Sequence, residues 1–285
     1  MNRCKDKKRW ALGAAAAVAG YLLLRAFVLE KYFFQVRRYR IGDRGGRRVI
    51  RLVLLADLHF RRLLLPQHRR LARRVNRLRP DLILIAGDTL DAAGGTGPME
   101  EFFRLLDERT RKAAVLGNHD YRASPSVDEL RRAYGRHGCD LLVNETRVYR
   151  LGGTELAVTG LDDLIEGESS VEKALGGVGR QEHHLMLVHS PLQQETAMAG
   201  VARLNRARPE GERLRIRYIF AGHNHGGQVR LPFWVPVLPP SSGDYVEGWY
   251  NDSEPFLYVS RGFGTSTLPL RFLARSEVTL FNYFA

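Results

Sequence analysis

Near its start the chain carries twenty residues, Trp10–Leu29, that are apolar apart from Arg25, about the length needed to cross a bilayer as a helix. No polar face interrupts this run, so a soluble amphipathic helix does not fit it. After residue 49 the pattern changes to short apolar runs separated by stretches of helical period. Val49–Ala56, Asp81–Ala86, Ala113–Leu116, Glu155–Gly160, His184–Val188 and Arg217–Ala221 read as strands buried on both faces. Pro66–Arg79 and Ser126–His137 read as helices between them. Neither a repeat nor a Pro/Ser-rich linker breaks residues 49–285. The expected organisation is therefore a basic tail (1–9), a membrane anchor (10–29), a basic juxtamembrane segment (30–48) and one α/β domain (49–285).

Charge sharpens this division. The 285 residues carry a formal charge of +13, which by itself suggests a nucleic-acid partner. The excess, however, sits at the front: residues 1–48 hold 13 Lys/Arg against three acids, which leaves 31 against 28 for the rest. A nearly balanced domain gives little support for tracking a nucleic-acid backbone, and the basic front points to a membrane surface. Five Lys/Arg (Arg3, Lys5, Lys7, Lys8, Arg9) precede the apolar run and seven (Lys31, Arg37, Arg38, Arg40, Arg44, Arg47, Arg48) follow it. That asymmetry leans to a single-pass protein with a cytoplasmic domain. Ala17-Val18-Ala19 offers a rival reading as a signal-peptide cleavage site, but Leu22-Leu23-Leu24 continue the apolar run beyond it and favour retention. Cys4 and Cys139 are too few and too far apart for a disulfide framework or a thiolate metal site.

In α/β sheets, ligands gather beyond the carboxyl ends of the strands. After the first predicted strand comes Asp57-Leu58-His59, after the second Gly87-Asp88-Thr89-Leu90-Asp91, and after the third Gly117-Asn118-His119-Asp120. Later strands deliver His189 and then Gly222-His223-Asn224-His225-Gly226-Gly227. Five of the nine histidines occupy such positions, while His68, His137, His183 and His184 do not and read as structural. Each motif alone is a weak signal, since a turn carboxylate or a Gly-Asn turn explains it equally well. Their joint recurrence after successive strands is what calls for a site. Carboxylate, amide and imidazole donors without thiolate suit Mn²⁺, Fe or Zn²⁺, and a shared aspartate can bridge two ions.

As a set these motifs resemble the calcineurin-like metallophosphoesterases, in the order D-x-H, G-D, G-N-H-D, an isolated His and G-H-x-H. The anchor, the run Gly222–Pro232 and the segment Leu257–Ser266 look like the bacterial membrane-associated branch, related to the UDP-2,3-diacylglucosamine hydrolases of lipid A synthesis. The resemblance implies a four-layer α/β/β/α sandwich holding two divalent ions, Mn²⁺ first. It also implies that Asp57, His59 and His225 hold one ion, Asn118, His189 and His223 the other, and Asp88 bridges them. His119 would stabilise the transition state or protonate the leaving oxygen, with Asp120 orienting it. The reaction implied is hydrolysis of a phosphodiester or pyrophosphate by hydroxide formed at the ions. A Walker A loop and a G-x-S-x-G serine elbow are absent. A catalytically silent membrane scaffold would be expected to have lost one of these residues, and none is missing.

Two features bear on substrate. Phe60-Arg61-Arg62 stand where the family often has glycine, and Asn224 replaces the usual Thr or Ser, so contacts around Phe60 are the ones to differ. Between Asp57 and Asp81 lie eight arginines and no acid, with Leu71, Ala72, Val75 and Leu78 forming a buried stripe. Such a face is either solvated or set against anionic headgroups or a substrate diphosphate. Leu231–Pro240, with Phe233 and Trp234, is apolar and broken by proline. Core packing is the common fate of such a segment, and the alternative is an exposed loop meeting acyl chains or the bilayer. Arg61, Arg62, Phe233 and Trp234 are thus the candidate contacts for a phosphorylated, lipid-linked substrate. A broad-specificity phosphodiesterase or phosphatase acting on soluble or cell-envelope substrates is the competing reading.

Overall fold

The computed structural model describes residues 2–43, 45–123, 126–234 and 236–285. Arg44 of the basic flank and Val235 of the proline-broken segment fall outside them. The first helix, α1 (Asn2–Leu24), runs on through a π-helical turn at Arg25–Leu29 into a last short turn, α2 (Glu30–Tyr32). Its stretch Arg9–Tyr32 is long and apolar enough to cross a membrane and is hardly buried by the rest of the chain.

The helix does not end in a free tether. Arg271 donates its backbone N–H to Ala26 O (3.1 Å), and Ser276 donates to Glu30 O (3.0 Å). The Glu30 carboxylate accepts from Ala274 N–H (3.0 Å) and pairs with Arg25 (2.6 Å). Ala26 and Glu30 are buried by these contacts. The chain then enters β1 (Gln35–Gly42), which runs parallel to the C-terminal strand. The sheet thus begins inside the segment assigned to a juxtamembrane linker, before residue 49. Positions 35–42 alternate in exposure and carry three arginines, the pattern of a strand with one wet face.

β2 (Val49–Leu55), β3 (Leu82–Ala86), β4 (Arg111–Val115) and β5 (Cys139–Leu141) follow, with α3 (Pro66–Leu78), α4 (Thr96–Arg104), α5 (Asn118–Ala123) and α6 (Val127–Gly135) in the connections. A second series contains β6 (Glu145–Leu151), β7 (Thr154–Gly160), α7 (Val171–Leu175), β8 (His184–Leu187), α8 (Gln193–Arg206) and β9 (Tyr218–Ala221). β10 (Gly248–Tyr250), β11 (Phe256–Val259) and β12 (Glu277–Phe284) complete the chain. The strand orders are β1-β12-β2-β3-β4-β5 and β10-β11-β9-β8-β7-β6. In each sheet the central neighbours are parallel.

Period-two burial explains the layering. Along β2, Leu52 and Leu54 face the other sheet while Val53 and Leu55 face the helices; along β8, Leu185 and Leu187 point inward to the sheet interface and Met186 to α7 and α8. Three apolar clusters result, one between the sheets and one under each helical layer. This is the expected four-layer α/β/β/α arrangement. Helix α3 shows the local logic. Pro66 occupies its first turn, where no N–H is needed, and His68 Nδ1 accepts the Leu65 N–H (3.2 Å). Arg79 closes the helix in the left-handed conformation just before Pro80.

Candidate metal centre

Every motif residue lands beyond the carboxyl end of a parallel strand, and the two sheets contribute to one site. Asp57 and His59 follow β2, Asp88 follows β3 and Asn118 follows β4; from the other sheet, His189 follows β8, and His223 and His225 follow β9. The chain bends sharply at these points. Asp57, His59, Asp88, His223 and His225 all have φ between 48° and 73°, a region that costs a non-glycine residue on the order of 1–3 kcal/mol. That strain turns both side chains of each D-x-H or H-x-H unit toward the gap between the sheets. Glycines make the room. Gly87 has φ 78°, and a Cβ there would lie 2.5 Å from His189 Nδ1. Gly117 and Gly222 have ordinary backbone angles and serve by smallness instead: a Cβ on Gly117 would strike Asp88, and one on Gly222 would lie 2.8 Å from Ala56 Cβ.

Among the described residues, Asp57, His59 and His225 bring one donor atom each within 4.8 Å of one another, and so do Asp88, His189 and His223. Asp88 stands between the groups, with Oδ2 at 3.5 Å from His59 Nε2 and Oδ1 at 3.4 Å from His189 Nε2. His59 Nε2 faces His225 Nε2 at 3.1 Å, and His189 Nε2 lies 3.1 Å from His223 Nδ1 and 3.3 Å from Asn118 Oδ1. The outer nitrogens are held: His189 Nδ1 lies 2.9 Å from Ala86 O, and His223 Nε2 lies 2.8 Å from Pro240 O. Such partners fix which nitrogen points inward. All seven residues are buried, and Asp57 Oδ2 and His59 Nδ1 have no hydrogen-bond partner. Buried, unsatisfied oxygen and imidazole atoms around a common gap fit a divalent cation.

The charge state of the donors follows from burial and from Asp88. Burial, with the Asp88 charge, pushes the Asp57 carboxyl up to about 7. Burial would raise Asp88 too, but His189, by charge and hydrogen bond, holds it well below the ordinary carboxylate range. His189 in turn is carried up to about 10 by Asp88 against its own burial. Burial pushes His59 and His223 down to about 4 and His225 well below its ordinary value. His59, His223 and His225 are thus neutral beside an ionised Asp88, the state a cation needs, while the proton that Asp88 holds on His189 is one that a cation would displace.

His119 is the second residue of α5 and lies edge-on to His59, ring centroids 4.7 Å apart. Its Nδ1 is buried without a partner and its Nε2 is 3.4 Å from Ser266 Oγ. Asp120 does not orient this ring, contrary to expectation. Its Oδ1 accepts the Leu90 N–H (2.8 Å) and its Oδ2 the Gly117 N–H (2.9 Å), tying the loop after β3 to the loop after β4. Arg61 pairs with Asp91 (3.1 Å) and donates to Ser266 O (3.2 Å), while Arg62 lines a 360 Å³ cavity that His59 also borders. Phe233 and Trp234 are exposed, so the core-packing fate of their segment does not hold for them. Asn224 explains its own presence: it accepts from Ser242 Oγ (2.6 Å) and donates to Tyr245 O, holding the stretch just after Pro240 beside the histidines. Among the described residues, none of the four remaining histidines joins a donor group; His184 Nε2 meets Thr159 Oγ1 at 2.7 Å, His183 Nδ1 meets Tyr283 OH at 2.9 Å, His137 Nε2 lies 3.4 Å from Glu100, and His68 lines the cavity beside His59.

Three further residues stand near the site, of which only Asp91 belongs to a strand-end run read from the sequence. Asp91 lies 3.8 Å from His59 Nδ1, and with His119 the three form a further group of close donors. Asp163, buried with Oδ1 unpartnered, follows β7, so the strand-end rule that found the others would have reached it. Arg271 is fully buried and donates to Gly264 O (2.8 Å), Ala274 O (2.9 Å) and His225 O (3.2 Å), with Nη2 3.1 Å from His225 Nδ1. No pattern around residue 271 announces that role.

Comparison with known proteins places this geometry. Residues 50–227 match the calcineurin-like phosphoesterase family. The chain is 29% identical over 281 residues to the uncharacterized metallophosphoesterase YkuE of Bacillus subtilis, covering 95% of this chain and 92% of that one. It is 27% identical over 287 residues to the phosphodiesterase YaeI of Escherichia coli, covering 96% and 98%. A transmembrane protein with metallophosphoesterase domain from Danio rerio is 29% identical over 243 residues, 81% of this chain and 52% of that one. The protein therefore belongs to the calcineurin-like phosphoesterase family and is a metal-dependent phosphoester hydrolase.

Proposed function

We propose that the protein is a membrane-anchored, two-metal phosphodiesterase whose substrate is a lipid-linked phosphodiester or pyrophosphate, with UDP-2,3-diacylglucosamine as the first compound to test. The observation that carries the two-metal reading is the pair of donor groups joined at Asp88, whose two oxygens face His59 and His189 at 3.5 and 3.4 Å. Asp57, His59 and His225 would hold one cation, Asn118, His189 and His223 the other, and Asp88 both. When bound, two such cations lower the pKa of a shared water and neutralise charge on phosphoryl oxygens. Asp88 also accepts the His119 backbone N–H (2.8 Å), which fixes the start of α5 and with it the His119 ring. Arg61 already neutralises Asp91, so His119 is left to act on substrate as the group that protonates the departing oxygen.

The lipid part of the reading rests on the 360 Å³ cavity beside His59. Its wall combines Lys31, at the end of the apolar helix, and Arg62 with Leu63, Leu65 and Phe263. Cations and apolar side chains in one pocket suit a phosphoryl group joined to a hydrocarbon. Phe233 and Trp234, exposed on the proline-broken segment, would meet the interface where such a substrate resides. The name of the E. coli relative supports diester chemistry and fits a second reading, a phosphodiesterase of broad specificity.

The test uses the full chain in detergent, loaded with Mn²⁺, and compares UMP release from UDP-2,3-diacylglucosamine with hydrolysis of bis-p-nitrophenyl phosphate. Asp88→Ala is expected to lower both by about 10²–10³ or more, the scale for removing one group that stabilises transition-state charge. UMP release that disappears in Asp88→Ala supports the lipid reading and a cytoplasmic domain. Cleavage of the chromogenic diester alone leaves the broad-specificity reading. Full activity in Asp88→Ala would overturn the two-metal site.

A further inference from the structure

A second cavity, of about 520 Å³, lies on the outer side of α3 and takes no part in the chemistry described above. Six arginines line it: Arg70, Arg73, Arg74 and Arg77 from α3, Arg38 from β1, and Arg275 just before β12. Among the described residues, no acidic one lines it. Arg38, Arg73, Arg74 and Arg77 have no side-chain hydrogen bond or ion pair among the described residues, in contrast to Arg69 on the same helix, which pairs with Glu101. Arg70 lies over the Phe33 ring at 5.2 Å, and Arg275 donates to Phe33 O. Guanidinium groups gathered without counter-charge repel one another, and their forked N–H groups match phosphate oxygens.

The remaining wall says where such a phosphate would come from. Phe33 and Phe34 follow directly on the last turn of the membrane-length helix, and Phe33 keeps a partly exposed ring. Aromatic rings at the end of a span lie at headgroup depth, and a cluster of arginines immediately beside a span recognises acidic lipid. Because the helix end is bonded into the domain through Ala26 and Glu30, the groove is held at a fixed place relative to the span. Phe34 packs edge-on to Phe263, which lines the cavity beside the metal centre, so the two cavities are neighbours divided by that aromatic pair. An occupant of the arginine groove is therefore separate from the bond to be cleaved.

We propose that this groove binds the phosphate headgroup of an anionic phospholipid in the leaflet that the helix enters, and so seats the catalytic domain on the bilayer. The proposal rests on the reading that α1 and its continuation cross a membrane. It deepens that reading by naming the lipid class and the residues that hold it.

Native mass spectrometry of the full chain released from neutral detergent tests it, with phosphatidylglycerol and phosphatidylcholine of the same acyl chains as probes. Wild type is expected to retain phosphatidylglycerol over phosphatidylcholine. The combined variant R70Q/R73Q/R74Q/R77Q is expected to lose that retention by at least about tenfold. The combined variant R180Q/R203Q/R206Q/R213Q, which removes four exposed arginines on the α8 side of the molecule, is expected to keep it. Circular dichroism and the unfolding midpoint check that each variant is folded; should the first not fold, R73Q/R77Q, at two exposed positions, carries the same comparison. Equal retention in wild type and the groove variant would overturn the proposal. So would full competition by glycerol phosphate, which would make the groove a site for soluble anions, or tighter binding of a single-stranded oligonucleotide through the same arginines. Anchoring is read separately, by retention in alkali-washed membranes. A wild type that washes off overturns both readings, whereas a groove variant that stays in the membrane and still retains the lipid overturns the groove alone.

Discussion

The strand-end cluster and the outer face of α3 both concentrate ionisable side chains, but the molecule treats the two differently. At the strand ends every donor is buried and aimed, through left-handed backbone at five of them and through partners such as Ala86 O and Pro240 O. On α3 the arginines stand at a solvent-facing groove, several without a partner, on a regular helix that needs no strain to present them. A centre whose donors must meet an ion to within about 0.2 Å requires prior positioning; a surface that meets a mobile headgroup requires only charge and reach. Changes at the first should therefore act steeply and residue by residue, while changes at the second should act gradually and by total charge.

The steepest effect outside the donor set is expected at His119. His119→Ala should lower kcat by about 10²–10⁴ on a diester with a poor leaving group, and much less on one that releases p-nitrophenolate, which departs without a proton. Metal content should be unchanged. Equal losses on both substrates would remove the acid role, and loss of metal would instead make His119 a ligand within the group it forms with His59 and Asp91.

Arg271 comes next. Its guanidinium joins three backbone carbonyls to the outer edge of His225, and burial pushes its pKa down to about 10. Arg271→Met should weaken Mn²⁺ binding by the stripped protein about 10–100-fold, the usual scale for a group that positions a ligand. Arg271→Lys should not restore it, since a single ammonium lacks the planar fork that reaches these acceptors. Titration of metal into the folded variants reads this directly. An affinity within twofold of wild type would make Arg271 a packing residue and would blur the contrast with α3, where single arginines are expected to matter little.

The same contrast explains what could be read from sequence. Donors after strands were legible because two local signals coincide there: a run of buried β-type residues, then a polar residue with ligand chemistry. Asp57, His59, Asp88, Asn118, His189, His223 and His225 all carry both. Arg271 carries neither, because its role depends on chain segments that meet only in the folded molecule. Asp120 was recognisable as part of a motif, yet its actual partners, Leu90 and Gly117 N–H, depend on how two loops pass each other. β1 was missed because its arginines hide its alternation, and because its partner strand lies more than 230 residues away. The arginine groove was half visible, as a charged helix face. Its other wall, from Arg38, Phe33 and Arg275, comes from that same unseen pairing.

The smallest effect separates the two faces of α3 itself. His68 lies on the buried face, where burial and then the Lys31 charge push its pKa down to about 4. In the unfolded chain a histidine titrates near 6.5. Between those values the unfolded state binds a proton that the folded state refuses, so protons favour unfolding as pH falls. This contribution is fully present above about pH 6.5 and is gone once pH drops through about 4; it amounts to at most about 3 kcal/mol. His184, pushed down to about 4 by burial, acts with the same sign. The unfolding midpoint should thus fall by a few degrees between pH 7 and pH 5. In His68→Gln, whose amide oxygen is placed to accept the Leu65 N–H in place of the imidazole, the fall should be shallower. Because guanidinium groups in general do not titrate near these pH values, R70Q/R73Q/R74Q/R77Q should shift the curve without changing its slope. A slope unaltered by His68→Gln but altered by the arginine variant would mean that acid acts on the outer face of α3, and the division between its two faces would have to be redrawn.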